Sequence, residues 1–401
     1  MAGLTGLFMR GSSYYIQVVL PVDHPLQNIA KNGKIVRSLG CMTHREAMRL
    51  GTIKRAEILA NVCSDGLTVP TSTRPVQTEV YLTKIHQHWK ESKARSDDTI
   101  GACLRAVKLY EEFTGNLPIG KLTRTDGERF SQWLVHPDRK TASKTARDRL
   151  IWVKSLLQFA AQDLGLLTRN PWSGIEIDFQ TTNKRRPWTD GELTLFFEQP
   201  LHQSYQLPKD RKAGADAAYW IPLLGLYTGA RVGELAQLRV SDIRTEVDVP
   251  MLSITNEGEG QRVKTKAGLR DVPIHSELIR LGFLEYVAAA KRNSSGNLWP
   301  DLPTREGKPG GYFSHWFGIY RRELGFGKAP DFHCFRHTVR TQMAEAGIPE
   351  AVIDTLVGHE VGGSVGAKVY THRAPGTLLE AIEVLQHPAL MLALPKVYRA
   401  P

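Results

Sequence analysis

Cysteine is scarce in this chain. The four present (Cys41, Cys63, Cys103 and Cys334) stand too far apart for a metal-ligand pair or a disulfide framework, which points to a reducing compartment. Long apolar runs are missing too. The best candidate, residues 217–230, is shorter than a membrane span and contains Trp220, Pro222 and Gly225. No basic segment precedes a sustained apolar core at the start, so neither a signal peptide nor a membrane partner is expected. Repeats and low-complexity tracts are absent as well. Disorder is excluded by the composition, 41% hydrophobic and 8% aromatic, and 401 residues predict two or three domains in a soluble, cytoplasmic protein.

Positive charge is in excess. Lys and Arg total 52 against 41 Asp and Glu, a net charge of +11. Residues 1–75 contribute +5, residues 76–184 contribute +4, and the larger remainder only +2. An anionic partner such as nucleic acid would meet the first half of the chain; a plain solubility device explains the same numbers.

Periodicity divides the chain further. Tyr14 to Leu20 and Lys34 to Leu39 are β-rich runs closed by Pro21 and Gly40, and Thr43 with Glu46 three residues on forms a capping box that opens a helix through about Cys63. Residues 1–64 therefore read as a small β-rich module, and 65–77, rich in Thr, Ser and Pro, as a linker. Residues 78–172 carry helical spacing almost throughout and are closed by the Asn170-Pro171 step, within a helical domain expected over 78–178. Lys140, Lys144, Arg147 and Ile151 are placed there on one helical face, suited to tracking phosphates or simply solvated. A second linker, 179–186, contains Lys184 and Arg185, which could cross phosphates. Thr189 and Glu192 form another capping box at the head of the last unit, 187–401, with a long helix from about Ala217, two short strands around 252–255 and 270–274, and helices beyond. The fold class expected is α+β and multidomain: the β-rich module, an all-helical domain, then a mostly helical domain with a small sheet.

Four segments of the last unit carry chemistry. In Thr228-Gly229-Ala230-Arg231-Val232-Gly233-Glu234, glycines flank an arginine at a helix entry; an ordinary surface pair of Arg231 with Glu234 fits the same spacing. Lys264-Thr265-Lys266-Ala267-Gly268 lies between the two strands. His333 and Arg336 stand at i and i+3, on one helical face. Gly358-His359 precedes Tyr370-Thr371-His372. Singly, each has a bland reading as core or solvated surface.

In this order the four resemble the catalytic domain of the tyrosine recombinase (phage integrase) family, over about 185–375. The arginine box is similar to 228–238, the His-x-x-Arg box to 333–336, the Leu-Gly-His step to Val357-Gly358-His359, and the terminal tyrosine to Tyr370. Residues 78–172 resemble the family's core-binding domain, and 1–64 its small arm-type modules. The gap between His359 and Tyr370 is slightly longer than the family's usual spacing, and the lysine of the family's Thr-Lys step corresponds to Lys266, with Lys264 two residues away.

The resemblance implies a site-specific DNA recombinase that cuts and rejoins duplex DNA through a 3′-phosphotyrosine, integrating or excising a mobile element. Its catalytic residues would be Arg231, Lys266, His333, Arg336, His359 and Tyr370. No cofactor or metal is expected. The partners implied are double-stranded recombination sites, three further copies of the chain in a tetramer on paired sites, and accessory directionality or DNA-bending proteins. The apolar spacing of Leu378, Leu379, Ile382 and Leu385 calls for a buried surface, on the chain itself or, as in the resembling family, on the neighbouring protomer. Alternatives are a type IB topoisomerase-like enzyme and a catalytically inactive DNA-binding regulator.

Overall fold

The computed structural model describes residues 6–10, 13–20, 32–40, 43–63, 79–179, 185–292, 296–305, 307–359, 374–387, 390 and 394–398. The chain divides into two units, Met1–Phe179 and Gln180–Pro401.

In the first unit, strands β1 (Leu7–Arg10), β2 (Ser13–Val19) and β3 (Lys34–Gly40) form an antiparallel sheet in chain order. The period-2 alternation of β2 turns Ile16 and Val18 inward, where they meet Leu20 and Ile35, and leaves Val19 outside. Helix α1 (His44–Cys63) begins at the expected capping box: Glu46 Oε2 accepts from the Thr43 backbone at 3.0 Å, and the Thr43 hydroxyl accepts from the Glu46 N–H.

Four helices follow: α2 (Leu82–Glu91), α3 (Asp97–Thr114), α4 (Arg124–Leu134) and α5 (Ser143–Gln162). Their apolar faces enclose Trp89, Tyr110, Phe130, Leu150 and Leu157. Trp172 is buried against them, and the Asn170 side chain fixes its turn by accepting from the Trp172 N–H and donating to the Lys154 carbonyl. One sequence expectation needs correction. Lys140 lies outside α5, in left-handed backbone after the short 3₁₀ turn Pro137–Arg139, so it does not continue the face of Lys144 and Arg147. Proline at 137 starts that turn and the helix cannot begin before it closes. Arg147 lays its guanidinium over the Phe179 ring at 4.6 Å.

The second unit is organised by α8 (Asp216–Thr228), in which every residue from Ala217 onward is buried. Before it come α6 (Asp190–Phe197), opened by the Thr189–Glu192 capping box, and α7 (Pro200–Gln203). After it come α9 (Val232–Ala236) and an antiparallel sheet of β4 (Ile243–Arg244), β5 (Met251–Ile254) and β6 (Arg270–Pro273). Helices α10 (Ser276–Arg280), α11 (Phe283–Lys291), α12 (Gly311–Glu323), α13 (His333–Glu345), α14 (Glu350–Val357) and α15 (Pro375–Ile382) complete the described part. No described helix is long and apolar enough to cross a membrane.

In the single chain the tail takes the first of its two possible surfaces, the chain itself. Leu378, Ile382, Leu385, Leu390, Leu394 and Tyr398 are buried in the same core as α8. The Glu383 carboxylate accepts from the backbone and hydroxyl of Ser276, at 2.7 and 2.6 Å, and so caps α10. The amphipathic face is satisfied within its own chain.

Candidate active site

Helix α8 ends because Gly229 takes left-handed backbone (φ +62°), and the chain re-enters a helix with Arg231 as the N-cap of α9. Glu234 sits below it. Its Oε1 receives Arg231 Nη1 at 2.6 Å, and its Oε2 receives the Arg231 backbone N–H and Arg270 Nη2, each at 2.9 Å. The Arg231–Glu234 pair is no surface pair: the two side chains are 26% and 5% exposed, and Arg270, the second partner of Glu234, is 3% exposed. Burial pushes the Glu234 pKa up, but the two guanidiniums outweigh it and hold the carboxyl below its ordinary value. Arg270 also donates to the carbonyls of Leu356 (2.7 Å) and Gly268 (2.9 Å). One buried pair therefore ties together the arginine box, the 3₁₀ turn Lys266–Gly268 and the end of α14.

Helix α13 starts at His333 and presents Arg336 one turn later. Arg336 is buried; its Nη1 donates to the Gly229 carbonyl at 3.0 Å, while Nε and Nη2 have no partner among the described residues. Burial and the neighbouring Arg231 and Arg270 pull its pKa down to about 9, so it remains cationic at neutral pH. His333 is half-buried, and burial together with Arg185 and Arg336 lowers its pKa to about 4. It is neutral at working pH.

Gly358 (φ +72°) closes α14, and its close approach requires glycine: a Cβ there would lie 2.6 Å from Arg270 Nη1 and 3.0 Å from the Ala267 carbonyl. Arg231 Nη2 reaches the Gly358 carbonyl at 3.4 Å. His359 follows directly. Arg231, Arg336 and His359 thus converge, His333 stands one turn before Arg336, and the lysine turn abuts the same glycine.

Residues 206–376 match the model of the phage integrase family. The tyrosine recombinase XerC-like protein of Caldanaerobacter subterraneus subsp. tengcongensis is 26% identical over 420 residues, covering 96% of this chain and 99% of that protein. The chain is similar to tyrosine recombinases in sequence and in fold, and the integrase-family match lies within its second unit. Tyrosine recombinase XerD of Corynebacterium glutamicum is 26% identical over 191 residues, 47% of this chain and 57% of that one. Two solved structures share the integrase fold. Lambda integrase, as a dimer bound to a COC′ core site, aligns with a TM-score of 0.51 at 17% identity, covering 92% of this chain and 95% of that one. The Tn1549 transposon integrase in complex with a circular intermediate DNA aligns with a TM-score of 0.53 at 19% identity, covering 72% and 98%.

Of the remaining positions singled out from the tyrosine recombinase motifs, Tyr370 lies outside the described residues, as does Lys184. Lys264 and Lys266 are both exposed. Arg185 pairs with Asp331, two residues before His333, at 3.1 Å. Lys140, Lys144 and Arg147 belong to the first unit. Tyr398, the other tyrosine near the end, is packed against Trp220, Tyr205 and Tyr286, and burial raises its pKa, which suits a core residue rather than a nucleophile. Sequence reasoning missed Arg270, Arg340 and Asp354. The spacing of Arg340, four residues after Arg336 on the same helix, was the one available signal.

Proposed function

We propose that this chain recombines specific DNA sites through a 3′-phosphotyrosine at Tyr370, to integrate or excise a mobile element. The observation that carries this is Arg336: a buried guanidinium beside Arg231, with two N–H-bearing nitrogens lacking partners among the described residues. Such a cluster is costly unless an anion completes it, and a phosphodiester supplies two non-bridging oxygens in the fork geometry that arginine matches. It gains further charge in the pentacoordinate transition state, where each preorganised donor contributes on the order of 10²–10³ in rate.

In this reading Arg231 and Arg336 hold the non-bridging oxygens and His359 donates to one of them. Neutral His333 takes the Tyr370 proton as the Tyr370 oxygen bonds to phosphorus. The bond from phosphorus to the 5′-oxygen breaks, and Lys266 gives that oxygen its proton. Reversal rejoins the strand, the phosphotyrosine having kept the bond energy.

The finer layout follows the family: residues 1–64 as a DNA-reading module, 78–178 as the core-binding domain with Lys140, Lys144 and Arg147 near phosphates, 179–186 with Lys184 and Arg185 as the linker, and 187–401 as the catalytic domain. The lambda integrase tetramer on a Holliday junction supports a tetramer on paired sites. A cytoplasmic location suits work on DNA. A plasmid carrying two copies of the element's junction sequence tests the reading: recombinant products dependent on both copies are expected. Relaxation of a plasmid with no site, without recombination, would replace it with a topoisomerase.

A further inference from the structure

His359 can help a phosphate oxygen only if the proper ring nitrogen carries a proton, and the structure decides which. Its Nδ1 lies 2.8 Å from Arg340 Nη1 and 3.5 Å from Asp354 Oδ1, while Arg340 Nη1 itself lies 2.5 Å from that same Asp354 oxygen. Arg340 comes from α13, one turn after Arg336, and Asp354 from α14. A guanidinium has donors and no acceptor, and it keeps its charge in proteins. The short contact therefore requires a lone pair on Nδ1, which leaves the proton on Nε2. A doubly protonated ring would set two N–H groups against each other.

We propose that Arg340 is a positioning residue that locks His359 as the neutral Nε2–H tautomer, the form able to donate to the scissile phosphate. This rests on the recombinase reading only for its consequence in catalysis. Without Arg340, Nδ1 would face the Asp354 carboxylate 3.5 Å away, which would draw a proton onto Nδ1 and leave Nε2 bare. The charged groups acting on His359 are Arg336 and Arg340 from α13, Arg231 at the head of α9 and Asp354 from α14. Burial and these cations together lower its pKa, in keeping with a neutral ring.

Nitrogen-15 histidine spectra of the full chain, with His359 assigned by difference from H359Q, read the tautomer directly and need no cleavage. The Nε2–H form is expected in the unaltered chain, and the Nδ1–H form there would overturn the proposal. R340M should shift the ring to Nδ1–H and slow single-turnover cleavage about 10²-fold near pH 8. The deficit relative to the unaltered chain should shrink toward pH 6, where an imidazolium again carries a proton on Nε2. R340M/D354L, with no acceptor beside Nδ1, should return to Nε2–H and recover most of the rate. An R340M ring unchanged in tautomer, with a rate deficit constant across pH, would make Arg340 a plain link between two helices. Should R340M fail to fold, the spectrum of the unaltered chain still decides. A correct tautomer in a chain that never cleaves DNA would reject the recombinase reading and leave the tautomer assignment standing.

Discussion

Replacing Glu234 by Gln removes one negative charge from a site where three N–H groups converge on it and two guanidiniums depend on it. The amide keeps the volume but turns an NH₂ toward a cation. Arg270, 3% exposed and tied to two carbonyls, cannot leave to find water. Breaking a buried pair by deleting one partner costs about 3–5 kcal/mol. At a urea slope of about 3 kcal/mol per molar, that moves the unfolding midpoint of the second unit down by roughly 1–1.7 M. Acid provides a second arm. The folded Glu234 pKa lies below its ordinary 4.5, so the carboxylate's contribution is complete above that value and is lost as pH falls through the lowered folded pKa. The gap between the two proteins should therefore be full at pH 7 and narrow below about pH 4. Urea titrations at both pH values make the test. A midpoint shift under about 0.3 M at pH 7 would refute the view of this pair as the tie between the arginine box, the lysine turn and α14.

If Lys266 protonates the leaving oxygen, K266A should cleave an ordinary substrate poorly and one with a 5′-bridging sulfur nearly normally, since a thiolate leaves unaided. That pattern in K264A instead would move the general acid by two residues. Removing residues 376–401 should now destabilise the single chain, because Leu378, Ile382 and Leu385 are core. Single-site and paired-site DNA binding should fall together in gel shifts, and selective loss of paired-site complexes would restore the trans-docking reading.

What the sequence made legible was local. The capping boxes at Thr43 and Thr189 bond as their spacing requires, because three residues suffice to define them. Each motif box is likewise a short segment whose residue types suggest its chemistry. Contacts between boxes were hidden. Arg270 lies 36 residues from Glu234, and Arg340 lies 19 from His359, so neither pairing has a periodicity to betray it. Strand β4 escaped notice because two residues cannot show an alternation. The tail's apolar spacing specified that a surface is covered, and only packing could say by what.

Tyr370 is expected to become covalently joined to DNA. A nicked substrate that loses its 5′-hydroxyl strand by diffusion should trap the adduct, and mass spectrometry of the digested complex should find a nucleotide 3′-phosphate on the peptide containing Tyr370. Y370F should bind the same DNA and trap nothing. An adduct on any other residue, or undiminished strand joining by Y370F, would contradict the account.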